Sequence, residues 1–463
     1  MVISKSGIVD YSAILIMAII ISMITIIEYN ISDNIFLLIF VIEVFLLIGF
    51  PAYGVFALLA NALLFDDLPL EIPTPGFGSL YTKVFLGQSL TTWLTIVAFL
   101  RIGYSLLHGK AFQLEPHLKR VFIVLIISGL FGLVSLSIDN LRWYVNDIRF
   151  LLNVLIGYLG VLIYIKSDYL LRKFFRYLCF LFIAKMMVLL FHTGLLLNDH
   201  VIYNIIPSTT FVLAPMLLLI SFYLFGKRKA LLVIVGLLFI AVSAVTASRG
   251  RIALFLLQSV LVLILLGRKK KLIPLFIFLL PVPLIVSYIN EDVYNFLIWK
   301  LSSFSPSLES SMSSYVRLIE YKNIFYQNLT NPIHFVFGSG FGGYWNSSRF
   351  PYEVNLVGTD SYPVEWIVND RFYRPHGIIQ WLFLKTGIVG ALSVYISSVI
   401  FVRQSYLSGR RRFRETESFK MICILSTAVV SLLLINYSAI HALYLGFLVG
   451  SVVIVKKQGL LEK

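Results

Sequence analysis

Apolar runs of roughly membrane-span length alternate with short polar connections along nearly the whole chain. They fall near Ile8–Ile27, Ile35–Gly49, Ala52–Phe65, Val84–Leu107, Val121–Ser137, Leu151–Ile165, Tyr177–Leu197, Phe211–Gly226, Ala230–Ala247, Ile252–Gly267, Leu272–Ile289, Gly377–Val402, Met421–Asn436 and Ala442–Val455. Counted by length, they predict an all-α polytopic membrane protein of about 14 transmembrane helices. The run from Ile35 to Phe65 reads either as one tilted helix kinked at Pro51 or as a hairpin of two short helices turning at Pro51-Ala52-Tyr53-Gly54, and the parity of the spans favours the hairpin. With that hairpin, the basic connections Lys110 to Arg120, Lys166 to Arg176, Lys227 to Lys229, Arg268 to Lys271 and Arg403 to Lys420 share one side. The positive-inside rule makes that side cytoplasmic, and both termini with it.

The opposite side carries Asp66-Asp67 and one long segment, residues 290–375, inserted into what otherwise reads as a single membrane domain over 1–463. A connection of that length predicts an extracytoplasmic subdomain with its own chemistry. Ser314 to Gln327 reads as an amphipathic helix on the membrane surface, with Tyr315, Leu318, Ile319 and Phe325 on one face and Arg317 and Tyr321 near its edge. Beyond it, Gly338-Ser339-Gly340-Phe341-Gly342-Gly343 forms a flexible turn whose spacing fits no nucleotide-binding loop. The stretch that follows, with Tyr344, Trp345, Glu353, Asp360, Tyr362, Glu365, Trp366 and Asp370, mixes aromatic faces and carboxylates in the manner that suits sugar rings.

Composition sharpens this picture. Hydrophobic residues make up 59% and charged residues 13% of the chain, far from the proportions of a soluble domain. The net charge of +15 sits in the short connections, so it reads as a topology signal and excludes nucleic acid as a partner. The two cysteines, Cys179 and Cys423, give no disulfide framework and no metal-ligand cluster, and no cofactor is expected.

Candidate chemistry begins with arginine. Arg249 and Arg251 occupy the tight connection Ser248-Arg249-Gly250-Arg251, and guanidinium at a bilayer boundary is costly unless it meets an anion. Arg317, Arg371 and Arg374, with Arg142 and Arg149, are expected on the same side, a set that suits a diphosphate. The bland reading is that they snorkel or pair with loop carboxylates. His376 opens an apolar helix directly after Arg374-Pro375, where a base or phosphate donor could stand. Arg101, Lys185 and Lys385 fall inside apolar runs, with Glu43 or Asp10 as partners by guess.

Three stretches together resemble the bacterial O-antigen ligase and polymerase family. They are Ser248-Arg249-Gly250-Arg251 before an apolar helix; Arg317, Leu318, Tyr321 and Asn323 running on to Gly338, Gly340 and Gly342; and His376-Gly377-Ile378-Ile379-Gln380 through Lys385-Thr386-Gly387. The resemblance covers about Ala230 to Val402. The family's ligases often carry Asn soon after the histidine, whereas Gly377 and Ile378 follow His376, so it implies a Wzy-type polymerase before a ligase.

Such an enzyme sits in the bacterial inner membrane. It joins undecaprenyl-diphosphate-linked oligosaccharide repeat units into O-antigen, capsular or exopolysaccharide chains on the periplasmic face and releases the lipid diphosphate. Its partners would be membrane lipids, a chain-length regulator and a flippase. The resemblance gives catalytic roles to His376, Arg249 and Arg317. Diphosphate or glycan binding falls to Arg251, Arg371, Arg374, Tyr344, Trp345, Glu365 and Asp370, while Glu353, Asp360, Glu365 and Asp370 rival His376 as general base. A ligase acting on lipid A core is one alternative. A lipid-linked oligosaccharide flippase or other transporter is another, disfavoured by the long outer segment.

Overall fold

The computed structural model describes residues 33–64, 84–85, 88–109, 115–134, 136–165, 167–195, 249–267, 312–352, 362, 364–413, 417–433 and 439–458. The described chain is mostly helical: α1 (Asp33–Gly49), α2 (Pro51–Leu64), α3 (Leu90–Leu107), α4 (Pro116–Val134), α5 (Ile138–Tyr164), α6 (Asp168–Leu195), α7 (Arg249–Leu265), α8 (Met312–Thr330), α9 (Pro332–Phe337), α10 (Val364–Asn369), α11 (Ile378–Phe413), α12 (Glu417–Leu432) and α13 (Ala439–Gln458). A minimal antiparallel pair, β1 (Val84–Phe85) with β2 (Gln88–Ser89), precedes α3 where the apolar run alone predicted helix.

Proline at the first position of α2 starts a new helix, and the chain reverses at Phe50. A Cβ at Gly54 would lie 2.6 Å from the Leu47 Cα, a contact possible only if the two helices fold back as the expected hairpin. The main core gathers α5 and α13 at backbone contact. A Cβ at Gly157 would meet the Leu443 carbonyl oxygen at 2.2 Å, and one at Gly446 the Val154 oxygen at 2.0 Å. Small residues that let two backbones touch are a common device for holding apolar helices together. Around this seam pack Tyr158, Phe174, Phe175, Phe182, Trp381 and Tyr444, all buried.

A second apolar cluster, Val316, Ile324, Trp345, Tyr362, Trp366, Phe372, Tyr373, Phe383 and Leu384, lies among α8, α10 and the start of α11. The described part of segment 290–375 thus has a core of its own, closed from one side by α11.

The expected topology needs correction. Among the described residues, three helices are long and apolar enough to cross a membrane: Leu90–Leu107, Ile138–Tyr164 and Ile378–Arg411. Shorter apolar helices cover Leu37–Gly49, Pro51–Ala60 and Ser418–Leu432. The expected runs at Ile8–Ile27, Phe211–Gly226, Ala230–Ala247 and Leu272–Ile289 lie outside the described residues.

A count of apolar runs took short helices for spans: α1 and α2 have 17 and 14 residues, below the ~20 that a bilayer core needs. It also mistook helix for connection. α6 begins at Asp168 and carries Arg172, Lys173 and Arg176, α11 continues through Arg403 and Arg410 to Phe413, and α5 includes Arg142 and Arg149. Several basic connections from which sidedness was read are therefore helical. The polytopic fold of about 14 spans gives way to a mostly helical protein with three candidate spans among its described residues. The multi-pass localisation in a bacterial inner membrane with cytoplasmic termini falls with it.

Candidate functional site

α8 turns Glu320, Asn323 and Asn328 into the protein, with Glu320 wholly buried. Each needs a partner there, because burying an unpaired polar group costs ~1–3 kcal/mol by mutational measures. Asn323 forms a two-point clasp on the backbone of Phe350, accepting from its N–H at 3.0 Å and donating to its oxygen at 2.8 Å. Asn328 donates to the Phe383 oxygen at 2.9 Å.

Glu320 takes three donors. The main-chain N–H of His376 lies 3.0 and 3.2 Å from its two oxygens, the His376 Nδ1 2.7 Å from Oε2, and the Tyr362 hydroxyl 2.6 Å from Oε2. A carboxylate that accepts from Nδ1 fixes the proton there and leaves Nε2 as the basic nitrogen. Among the described residues Nε2 has no hydrogen-bond partner, and the His376 side chain is 29% exposed. The imidazole is thus gripped at one edge and open at the other. Tyr362 supports it from the side, its ring edge-on to the imidazole with centroids 5.1 Å apart. Burial, reinforced by the Glu320 charge, raises the Tyr362 phenol well above its ordinary value, so it stays protonated and continues to donate. Tyr352, raised mainly by burial, lies behind it with the hydroxyls 3.3 Å apart.

A second buried pair lies deeper. Lys385 Nζ and Asp147 Oδ2 are 2.9 Å apart, with both side chains almost wholly enclosed. Asp147 also accepts from the Trp381 indole at 2.9 Å and the Gly342 N–H at 2.8 Å, and Lys385 donates to the Gly343 oxygen. Lys385 therefore pairs with Asp147 and, among the described residues, not with Glu43; Asp10 lies outside them. The glycine turn is clamped on α11: Ser339 donates twice to the Leu384 oxygen, and Gly338 and Gly387, both at positive φ, touch backbone to backbone. A side chain at Gly338 would lie 2.4 Å from the Lys385 carbonyl carbon. This turn is a structural lock, and its glycines are explained without a ligand.

The expected site residues divide accordingly. Arg317 is exposed one helical turn before Glu320, and Arg374 is exposed two residues before His376. The Glu320–His376 contact thus ties together the segments that carry both arginines. Arg371 is engaged elsewhere, 3.4 Å from Asp139 and over the Tyr344 ring at 5.3 Å. Trp345 is sealed in the second core, paired with Phe372 through two backbone hydrogen bonds and stacked on its ring, so it offers no face to a sugar. Asp370 accepts from the Ser347 N–H and hydroxyl, and Glu365 is exposed in the first turn of α10. Arg249 and Arg251 open α7, and their side chains lie outside the described residues, as do Glu353, Asp360 and the Lys185 side chain. Sequence reasoning missed Glu320 and the role of Tyr362. The available signal was a carboxylate between Ile319 and Ile324 with Asn323 at i+3, a polar group on an apolar face that demands a partner.

No protein-family model matches the chain, and no curated protein matches it. The labels suggested by the three motifs, a Wzy-type O-antigen polymerase of lipopolysaccharide or exopolysaccharide biosynthesis in the inner membrane, are set aside together with the topology they presupposed.

Proposed function

We propose that the protein transfers a glycosyl group from a lipid-diphosphate-linked oligosaccharide to a hydroxyl of a second such unit, joining repeat units with His376 as general base. The observation that carries this reading is the Glu320–His376 contact at 2.7 Å with the opposite edge of the imidazole open. In the reaction the acceptor hydroxyl gives its proton to Nε2 as its oxygen bonds to the anomeric carbon. The bond from that carbon to the diphosphate oxygen breaks, and its electron pair leaves on the lipid diphosphate. Glu320 holds the imidazole in the productive tautomer and offsets the imidazolium charge that develops. Arg317 and Arg374 suit the departing diphosphate, since the planar guanidinium fork can donate to two of its oxygens at once and negative charge grows there as the bond breaks. Arg249 and Arg251 are assigned to the same anion.

The test supplies the purified full chain with a lipid-diphosphate-linked oligosaccharide and resolves products by size. A ladder of multiples of the unit, abolished in His376→Ala with the fold retained, supports the reading. An unchanged ladder in that variant removes His376 from the mechanism, and no transfer with any donor of this class removes the reading itself.

A further inference from the structure

α8 is partly inside out. Its wholly or nearly buried face includes Glu320, Asn323 and Asn328, while Tyr321, Phe325 and Leu329 recur at every fourth position on the outer face. Ile333 and Phe337 continue that spacing through α9. All five are between 40% and 57% exposed. A helix whose polar groups are bonded inward and whose large apolar groups point outward is poorly matched to water outside.

α8 and α9 are anchored to α11 beneath this stripe. Phe325 stacks on Phe383 of α11 at 5.9 Å, and Phe335 of α9 meets the same ring edge-on at 6.0 Å. α11 is itself one of the helices apolar and long enough to cross a membrane, and it leaves Ile379, Val389, Leu392, Ile396 and Val399 exposed. Cations rim the stripe. Lys322 stands over the Phe350 ring at 5.8 Å and Arg349 over Tyr326 at 5.1 Å, with Arg317 exposed on the same helix. Aromatic rings with lysine and arginine at their border form the usual chemistry of a lipid headgroup boundary.

We infer that the outer face of α8 and α9 is a lipid-facing surface that rests at the headgroup–acyl boundary of a phospholipid leaflet, with Tyr321, Phe325, Leu329, Ile333 and Phe337 in the acyl region. This would hold α8, and through Glu320 the open edge of His376, at membrane level. It stands apart from the reaction assigned above, because its readout is depth and not turnover.

Cys179 and Cys423 are both buried, so a cysteine added at the surface is the preferred site for a thiol-reactive dye. The full chain carrying Leu329→Cys, labelled with a nitrobenzoxadiazole dye, would be reconstituted in phosphatidylcholine–phosphatidylglycerol vesicles, with Tyr321→Cys as a second site. Val368→Cys, 76% exposed on α10, is the control. The inference predicts blue-shifted emission at positions 329 and 321, quenched by spin labels on the acyl chains and shielded from aqueous iodide. The control should show the reverse. Probes at 329 and 321 that are open to iodide and blind to the spin-labelled lipid would overturn it. So would self-quenching that scales with copies per vesicle with no effect of the spin label, which would mark a contact between two copies.

Discussion

Two buried carboxylates, each paired with a basic side chain on the amino-terminal part of the same segment, meet opposite fates in this molecule. Asp147 and Lys385 are sealed, and nearly every polar atom around them is spent on structure: the indole of Trp381, the N–H of Gly342 and the oxygen of Gly343. Glu320 is sealed just as fully, but its partner His376 is not, and one imidazole nitrogen is left facing outward. The first pair locks a glycine turn onto a helix. The second holds a titratable ring in one tautomer with its working edge open. Burial of a charge alone therefore does not identify chemistry; an open partner does.

The sharpest way to break this comparison is at the open pair. His376→Ala should lower transfer on the order of 10²- to 10⁴-fold, the usual contribution of a positioned general base. Glu320→Gln should approach the upper end of that range, because amidating the carboxylate that orients a catalytic histidine costs on the order of 10⁴. Both are read as single-turnover rates, with thermal unfolding as the check on folding.

The sealed pair should answer in the other currency. Lys385→Met leaves Asp147 charged and buried, and breaking such a pair costs about 3–5 kcal/mol of stability. The double variant Asp147→Asn/Lys385→Met should recover much of that loss in the same unfolding measurement. A double variant less stable than the single would contradict the lock.

Tyr362→Phe removes one donor to Glu320, a hydrogen bond to a charged group worth about 1.5–3 kcal/mol, and should slow transfer about 10- to 100-fold with little change in fold. At the weak end, Arg371→Ala loses a solvent-exposed ion pair with Asp139 and should leave the unfolding transition nearly unchanged, because exposed pairs are screened by water and salt. A large rate loss there would mean that Arg371 meets substrate and not Asp139.

How much of this was legible in the sequence depended on whether the signal was local. The break at Pro51 was readable because proline dictates backbone. The segment after Arg374-Pro375 was readable as a helix start, although His376 stands just outside the helix it was expected to open, two residues before α11. The face of α8 was not. Tyr315, Leu318, Ile319 and Phe325 look like one apolar stripe, yet the buried face holds Val316, Ile319, Glu320, Asn323 and Ile324, and Phe325 points out. Both faces carry apolar residues, so periodicity cannot choose between them; the choice comes from Phe350, Tyr362 and His376, which meet α8 only in the fold. Partners far apart in sequence, such as Asp147 for Lys385, are invisible for the same reason. The count of spans failed because apolar run length says nothing of whether a neighbouring charged stretch continues the helix, as it does in α6 and α11.

The central claim is that the open edge of His376 removes the acceptor proton. Its most direct test is single-turnover transfer by His376→Gly with and without added imidazole, which can enter the space left by the missing ring and donate its N–H to Glu320 as the His376 Nδ1 does. The account predicts loss of transfer in the variant and recovery that rises with imidazole concentration, with no recovery when Glu320→Gln is added. Transfer by His376→Gly near the native rate in the absence of imidazole would contradict it.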